Sequence, residues 1–164
     1  MTTRAVWGAI ALGVLPDVIQ TVPVAAWAVS AGETGSLFAY IVAEPGSEPP
    51  MPAMVASIAH HLHCVMHSVI VAGAVTAVAW SALRRFPLVL LGWWAHIALD
   101  VPTHSNAYYA VPIFYPVTYR GLDGIPWTTP WLLAANYVLL AIAYVWLYRT
   151  RGSRLASAAG TDHR

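Results

Sequence analysis

Charge is what this chain lacks. Only 9% of its 164 residues are Asp, Glu, Lys or Arg, and none is lysine; a soluble domain has about 25% charged residues. Between Pro49 and Tyr119 the charged residues are Arg84, Arg85 and Asp100 alone. Hydrophobic residues make up 59%. That excludes a disordered chain and argues against a water-soluble globule; the bilayer is the solvent. A single cysteine, Cys64, excludes an intrachain disulfide and a zinc ribbon. No basic patch has the interleaving that nucleic-acid binding needs. The expected partners are membrane lipids, with no nucleic acid.

Four segments approach the roughly 20 apolar residues a helical span requires. They run over about residues 5–30, 54–83, 87–101 and 130–148. The first is interrupted by Pro16-Asp17 and Pro23, and its single Arg4 makes a poor cleaved signal peptide. The expected fold is therefore an all-α, polytopic membrane helix bundle of about four transmembrane helices, the first broken near Pro16. It forms one domain over residues 1–151, with 152–164 as a disordered cytoplasmic tail. Seven of the eight arginines, all but Arg120, fall on one side of this arrangement. That side is read as cytoplasmic, with both termini inside. Glu33, Glu44, Glu48 and Asp123 fall outside. Of the two outer segments, 31–53 carries a Pro/Gly/Glu run that reads as a surface loop. The other, 102–129, is rich in Tyr108, Tyr109, Phe114, Tyr115, Tyr119 and Trp127. Such aromatics favour the headgroup level, where this segment would roof a site below.

Against this apolar background stand Asp17 in the first span, His60, His61, His63 and His67 in the second, and His96 and Asp100 in the third. An ionisable residue inside a membrane is expensive and marks a functional site by default. At 100° per residue His60 and His67 nearly eclipse, with His63 about 60° and Cys64 about 40° to either side. His61 points about 100° away. His96 and Asp100, four apart, share a face, and Gly92 one turn earlier would let a neighbouring helix approach closely. Counting up from the inner arginines at 1.5 Å per residue, Asp17, His67, Asp100 and His96 lie at roughly 20, 25, 22 and 16 Å. Three helices thus bring polar groups to similar heights.

Imidazole and carboxylate at that density point to a divalent metal ion, zinc first, with manganese or iron also suited. Such an ion lowers the pKa of a bound water toward about 7 and so makes a nucleophile. The candidate ligands are His67, His96 and Asp100, with Asp17 as a fourth ligand or the base that orients water; His63 and His60 are second choices. Thr103 or His104 would donate to a developing oxyanion. Each has a plainer reading. A membrane histidine is often an interhelical hydrogen-bond partner, Asp17 can cap the second half of a broken helix, Cys64 can be a packing residue, and Arg120 can contact a headgroup. A non-enzymatic protein whose His/Asp network is structural, or binds or carries a metal, is the alternative to an enzyme. His60-His61-Leu62-His63 also hints at the histidine box of a non-haem iron oxidase, but the histidines are few and face the wrong side.

Pro16-Asp17, His67-Ser68, His96-Ile-Ala-Leu-Asp100-Val-Pro-Thr103 and Val111-Pro-Ile-Phe-Tyr115-Pro116 together resemble the YdjM-like inner-membrane, metal-dependent hydrolase family. Members typically show a Pro-Asp early, a His-Ser opening a later helix, an HxxxDxxT motif and then Val-Pro-x-x-aromatic-Pro. The order matches over residues 16–116. Ile19 stands where the family usually has a second Asp, and Leu62 where it has a His, so the resemblance is to a divergent member. It implies a multi-pass protein of a bacterial inner membrane and metal-dependent hydrolysis, and no substrate; a polar cavity open to the outer face would make that the hydrolysis of a lipid or lipid-linked ester at the membrane surface. The phosphatidate-phosphatase type also carries an HxxxD, but it needs a lysine motif and a Pro-Ser-Gly-His that this chain lacks.

Overall fold

The computed structural model describes residues 2–43, 47–107 and 110–160, with side chains to residue 150. The described residues are all-helical, with no β-strand. Six helices follow in order: α1 Thr3–Ala31, α2 Thr34–Val42, α3 Ala53–Met66, α4 Val69–Leu83, α5 Leu91–Thr103, entered through a 3-10 turn at Leu88–Leu90, and α6 Pro130–Gly160. The chain divides into two compact units, residues 1–126 and 127–164.

α1 and the Pro130–Thr150 part of α6 are each long and apolar enough to cross a membrane. α3 and α4 qualify as a third candidate only if taken as one span, for they meet at a 61° bend. α5 with its 3-10 turn is too short for the same test.

Two expectations about helix breaks are corrected. α1 is one continuous helix through Pro16 and Pro23. Each proline removes one backbone donor, but the Pro16 ring is fully buried and α1 packs along both α3 and α5. The break lies instead in the expected second span, at His67-Ser68. In the 31–53 segment, residues 34–42 form α2, and residues 47–50 of the Pro/Gly/Glu run are non-helical, as a loop should be. The Glu44 end of the acidic run, and Tyr108 and Tyr109, lie outside the described residues. α6 runs past the expected span end at Tyr148 and on to Gly160, through most of the segment expected to be a disordered tail; residues 161–164 lie outside the described residues.

The break at 67–68 is stabilised group by group. Ser68 caps α4, its Oγ accepting from the Ile70 and Val71 N–H groups. The same hydroxyl donates to the Tyr115 carbonyl at 2.6 Å. Val69 N–H donates to the Ile113 carbonyl at 2.9 Å. On the other side of the bend, the Trp93 indole N–H donates to the Met66 carbonyl. The 110–115 stretch of the aromatic segment therefore sits on the bend, with Val111 and Ile113 buried. Beneath it, Ala72, Leu90, Trp93 and Ile97 form the core, flanked by Leu12, Met66 and Val69.

α1 and α5 cross at two glycines. A Cβ on Gly92 would overlap the Ala9 carbonyl oxygen, and one on Gly13 would sit 3.5 Å from the Gly92 carbonyl oxygen. The close approach expected at Gly92 is thus present, with α1 as the partner. One rung below, a Cβ on Gly8 would lie 2.9 Å from Val89 Cγ1. The rungs advance in step, Gly8 to Val89 and then Gly13 to Gly92, so the two helices run parallel.

Candidate metal centre

One turn beyond each crossing glycine stands a polar residue: Asp17 after Gly13 on α1, His96 after Gly92 on α5. Helical spacing puts i and i+4 on one face, so the crossing that joins the glycines also brings Asp17 to His96. Asp100 adds the next turn of α5. His67 enters from the bend. As the C-cap of α3 it is free of the helix that would follow, and its ring turns toward the α1–α5 seam.

The four side chains each offer one ligand atom, and these atoms lie within 4.8 Å of one another. Three of them form a near-equilateral triangle. His67 Nε2 lies 3.0 Å from Asp100 Oδ2, His96 Nε2 lies 3.1 Å from the same oxygen, and the two Nε2 atoms are 3.1 Å apart. Asp17 Oδ1 completes the group at 3.8 Å from His67 Nε2 and 3.7 Å from His96 Nε2. Ligand bonds near 2 Å in a tetrahedron place donor atoms about 3.3 Å apart, so the spacing fits one small divalent ion.

The support around His67 fits as well. His67 Nδ1 donates to the His63 carbonyl at 2.8 Å. That leaves the Nε2 lone pair of the neutral ring aimed at the cluster. A metal-binding imidazole characteristically spends its other nitrogen on such a carbonyl, which sets tautomer and ring angle. Burial is graded: His67 is 1% exposed, Asp100 16% and Asp17 61%. Asp17 is thus the accessible edge of the group.

The remaining candidates are placed elsewhere. His63 is buried beside the cluster, its ring 4.2 Å from that of His67. Its Nδ1 donates to Gln20 Oε1 at 2.8 Å, and its Nε2 lies 3.3 Å from the Ala110 carbonyl oxygen. It supports the site and does not join the four. His60 sits further along α3, 3.5 Å from Cys64 Sγ and stacked on Tyr119; the bend removes the alignment with His67 that a straight helix would have given. His61 is exposed near Tyr115. Thr103 donates its hydroxyl to the Leu99 carbonyl at 2.8 Å. His104 Nδ1 donates to the Asp100 carbonyl at 3.0 Å. Cys64 is buried.

Gln20 is the residue that sequence reasoning missed. Its amide N–H donates to Asp17 Oδ1 at 3.4 Å while its carbonyl accepts from His63. Its position one turn beyond Asp17, in an apolar helix, was the available clue. No protein-family model, curated protein or solved structure matches this chain.

Proposed function

We propose that this chain is a membrane-embedded, metal-dependent hydrolase acting on a lipid or lipid-linked ester at the outer face of the membrane. His67, His96 and Asp100 hold the ion, which we assign as zinc. Asp17 is its fourth ligand or the base that orients water. The observation that carries the reading is the Nε2–Nε2–Oδ2 triangle together with the His63 carbonyl that orients the His67 imidazole. A divalent ion held there supplies Lewis acidity and acidifies water near neutral pH. Asp17, the exposed member, accepts the proton of an attacking water at the edge a substrate can reach.

The topology behind this reading is four crossings with both termini in the cytoplasm. Two observations support it. α1 and α5 run parallel, so the chain between them must return, and the bent α3–α4 pair is the segment available to do so. Arginines also cluster at the ends this topology places inside: Arg4, Arg84, Arg85 and Arg149. α5 with its turn spans only roughly 24 Å at 1.5 Å per residue, against about 30 Å of hydrocarbon, so its outer end is shallow. The sequence resemblance to YdjM-like proteins points to the same membrane and reaction class. Reporter fusions after Arg85, Tyr119 and Arg151 read the topology directly; an external Arg85 overturns it.

A metal-free reading shares the same triangle, since imidazole and carboxylate at about 3 Å also form hydrogen bonds. Elemental analysis of the purified protein separates the two. The hydrolase reading expects close to one divalent ion per chain and its loss in His96→Ala. No metal in the wild type leaves a structural network.

A further inference from the structure

The α1–α5 seam carries a surface groove of about 430 Å³. Its walls are α1 from Val6 to Gly13 and α5 from Leu91 to Asp100. Eight of its ten lining residues are apolar; the other two are His96 and Asp100, both members of the four-residue cluster. The floor is low because the two backbones meet where Ala9 and Gly13 face Gly92. Val6, Ile10, Leu91 and Leu99 line it with exposed side chains.

The groove has a direction. α1 and α5 run parallel, so it leads from His96 and Asp100 back toward the N-terminal ends of both helices. Asp100 and Leu91 are nine residues apart, about 14 Å along the helix. On the proposed topology that course is inward from the outer face, the path of an outer-leaflet acyl chain below its ester. Its length is close to one leaflet's half of the roughly 30 Å hydrocarbon core.

The lining decides the occupant. A headgroup would find no hydrogen-bonding side chain among the eight apolar residues, and an unmet polar group in hydrocarbon is costly. A helix of a second copy packed along the whole groove would cover His96 and Asp100 and shut the centre from substrate. An acyl chain fits both ends: its methylenes lie against the apolar walls, and its ester reaches the one polar end. The chain passes from hydrocarbon to hydrocarbon, so it gains dispersion contacts rather than hydrophobic energy. What the groove supplies is alignment of the ester with the ligands.

Building on the hydrolase reading, we propose that the α1–α5 groove is the acyl-chain subsite of the metal centre. The substrate is then an acyl ester, held by its hydrocarbon chain with the ester at His67, His96, Asp100 and Asp17.

The test uses the full chain in vesicles of phosphatidylethanolamine and phosphatidylglycerol. The probe is a phosphatidylglycerol carrying a diazirine at the end of one acyl chain. Irradiation and peptide mapping show where the chain ends lie, and metal content is measured on the same samples. Bulk lipid keeps its chain ends at the midplane, about 15 Å from either surface. They should mark the middle of a membrane-spanning α6, where Val138 and Leu139 are exposed. Val6, by contrast, is two residues from Arg4, about 3 Å along the helix. A chain seated in the groove should mark Val6, Ile10 and Leu91 about tenfold over Val138 and Leu139, the scale of ten or so added carbon contacts.

Ala95→Phe puts a ring into the groove beside Leu91 and Leu99. Marking of Val6 and Leu91 should fall to that of α6, while metal content stays at the wild-type level. Ile10→Trp, farther from the ligands, should do the same and decides the matter if Ala95→Phe misfolds or loses metal. Equal marking of groove and α6, or groove marking unchanged in both variants, overturns the proposal even where metal is bound. Groove marking that the variants remove, in protein that holds no metal, upholds the acyl-chain site and removes the hydrolase reading instead. A wild-type dimer without groove marking, made monomeric by Ala95→Phe, would give the groove to a second copy and overturn the proposal.

Discussion

α1 contains two prolines and does not break; the α3–α4 path contains none and bends by 61°. The contrast shows what breaks a helix in an apolar solvent. A proline removes one donor and crowds one carbonyl, a local defect that neighbouring helices can absorb. A true break frees several backbone groups at once, and in hydrocarbon each unmet group costs several kcal/mol. It therefore forms only where partners are in place. At 67–68 they are Ser68, the Ile113 carbonyl and the Trp93 indole. Those partners come from three different stretches of the chain, and what they position is His67.

The largest expected effect falls on the residue where the two paths meet. Asp100 contacts the histidine from the bend and the histidine on its own helix. Asp100→Asn keeps the shape and one acceptor oxygen but removes the charge. Bound metal should fall to background by elemental analysis, while the melting temperature barely moves, since membrane side-chain hydrogen bonds average only about 0.6 kcal/mol. Full metal content in the Asn variant sinks the metal reading.

Next is the α1–α5 seam. Gly92→Ala puts a methyl group into the Ala9 carbonyl. Backbone cannot step aside as a side chain can, so the helices must part. The expected cost is about 1–3 kcal/mol, the usual range for overpacking, and Asp17 should be carried away from His96. Metal affinity and melting temperature fall together. A variant with wild-type stability would mean that the crossing is looser than the glycine contact implies.

Ser68→Ala strikes the bend itself. It removes the cap on Ile70 and Val71 and leaves the Tyr115 carbonyl without its donor. Losing such a cap costs about 1 kcal/mol. Thermal unfolding in detergent should show a modest drop, with metal bound more weakly because His67 is less firmly held. No change in either would transfer the stability of the bend to Trp93 and the 110–115 segment.

The same contrast explains what was legible in the sequence. Asp17, His67, His96 and Asp100 stand out because ionisable residues in apolar helices are costly, and a rise per residue is enough to compare their heights. Gly92 was legible because a missing side chain one turn before His96 has a direct meaning for helix approach. The break was misplaced because proline was read as its signature, whereas the local mark of the real break is Ser68, the cap of α4. Two agents of the real break, Ile113 and Trp93, lie 44 and 27 residues in sequence from their partners Val69 and Met66, and no period in the second span reports them. His60 fails for the same reason, since its alignment with His67 assumed a straight helix. Spacing along α1 could have paired Gln20 with Asp17, but the bond from His63 to Gln20 crosses helices, which spacing along one helix does not encode.

The smallest expected effect is the one that tests the contrast most sharply. Pro16→Ala restores a backbone N–H to α1, and the freed Leu12 carbonyl can accept it, a gain of about 0.5–1.5 kcal/mol. It also deletes part of a fully buried ring, at about 0.8 kcal/mol per buried methylene lost. The two terms nearly cancel, so the melting temperature should stay close to that of the wild type and metal content should not change. That outcome would confirm that the proline next to Asp17 is tolerated rather than used. A loss of metal without a loss of stability would show the opposite: that the proline sets the local path of α1 and thereby aims the Asp17 carboxylate, making the unbroken helix as much a part of the site as the broken one.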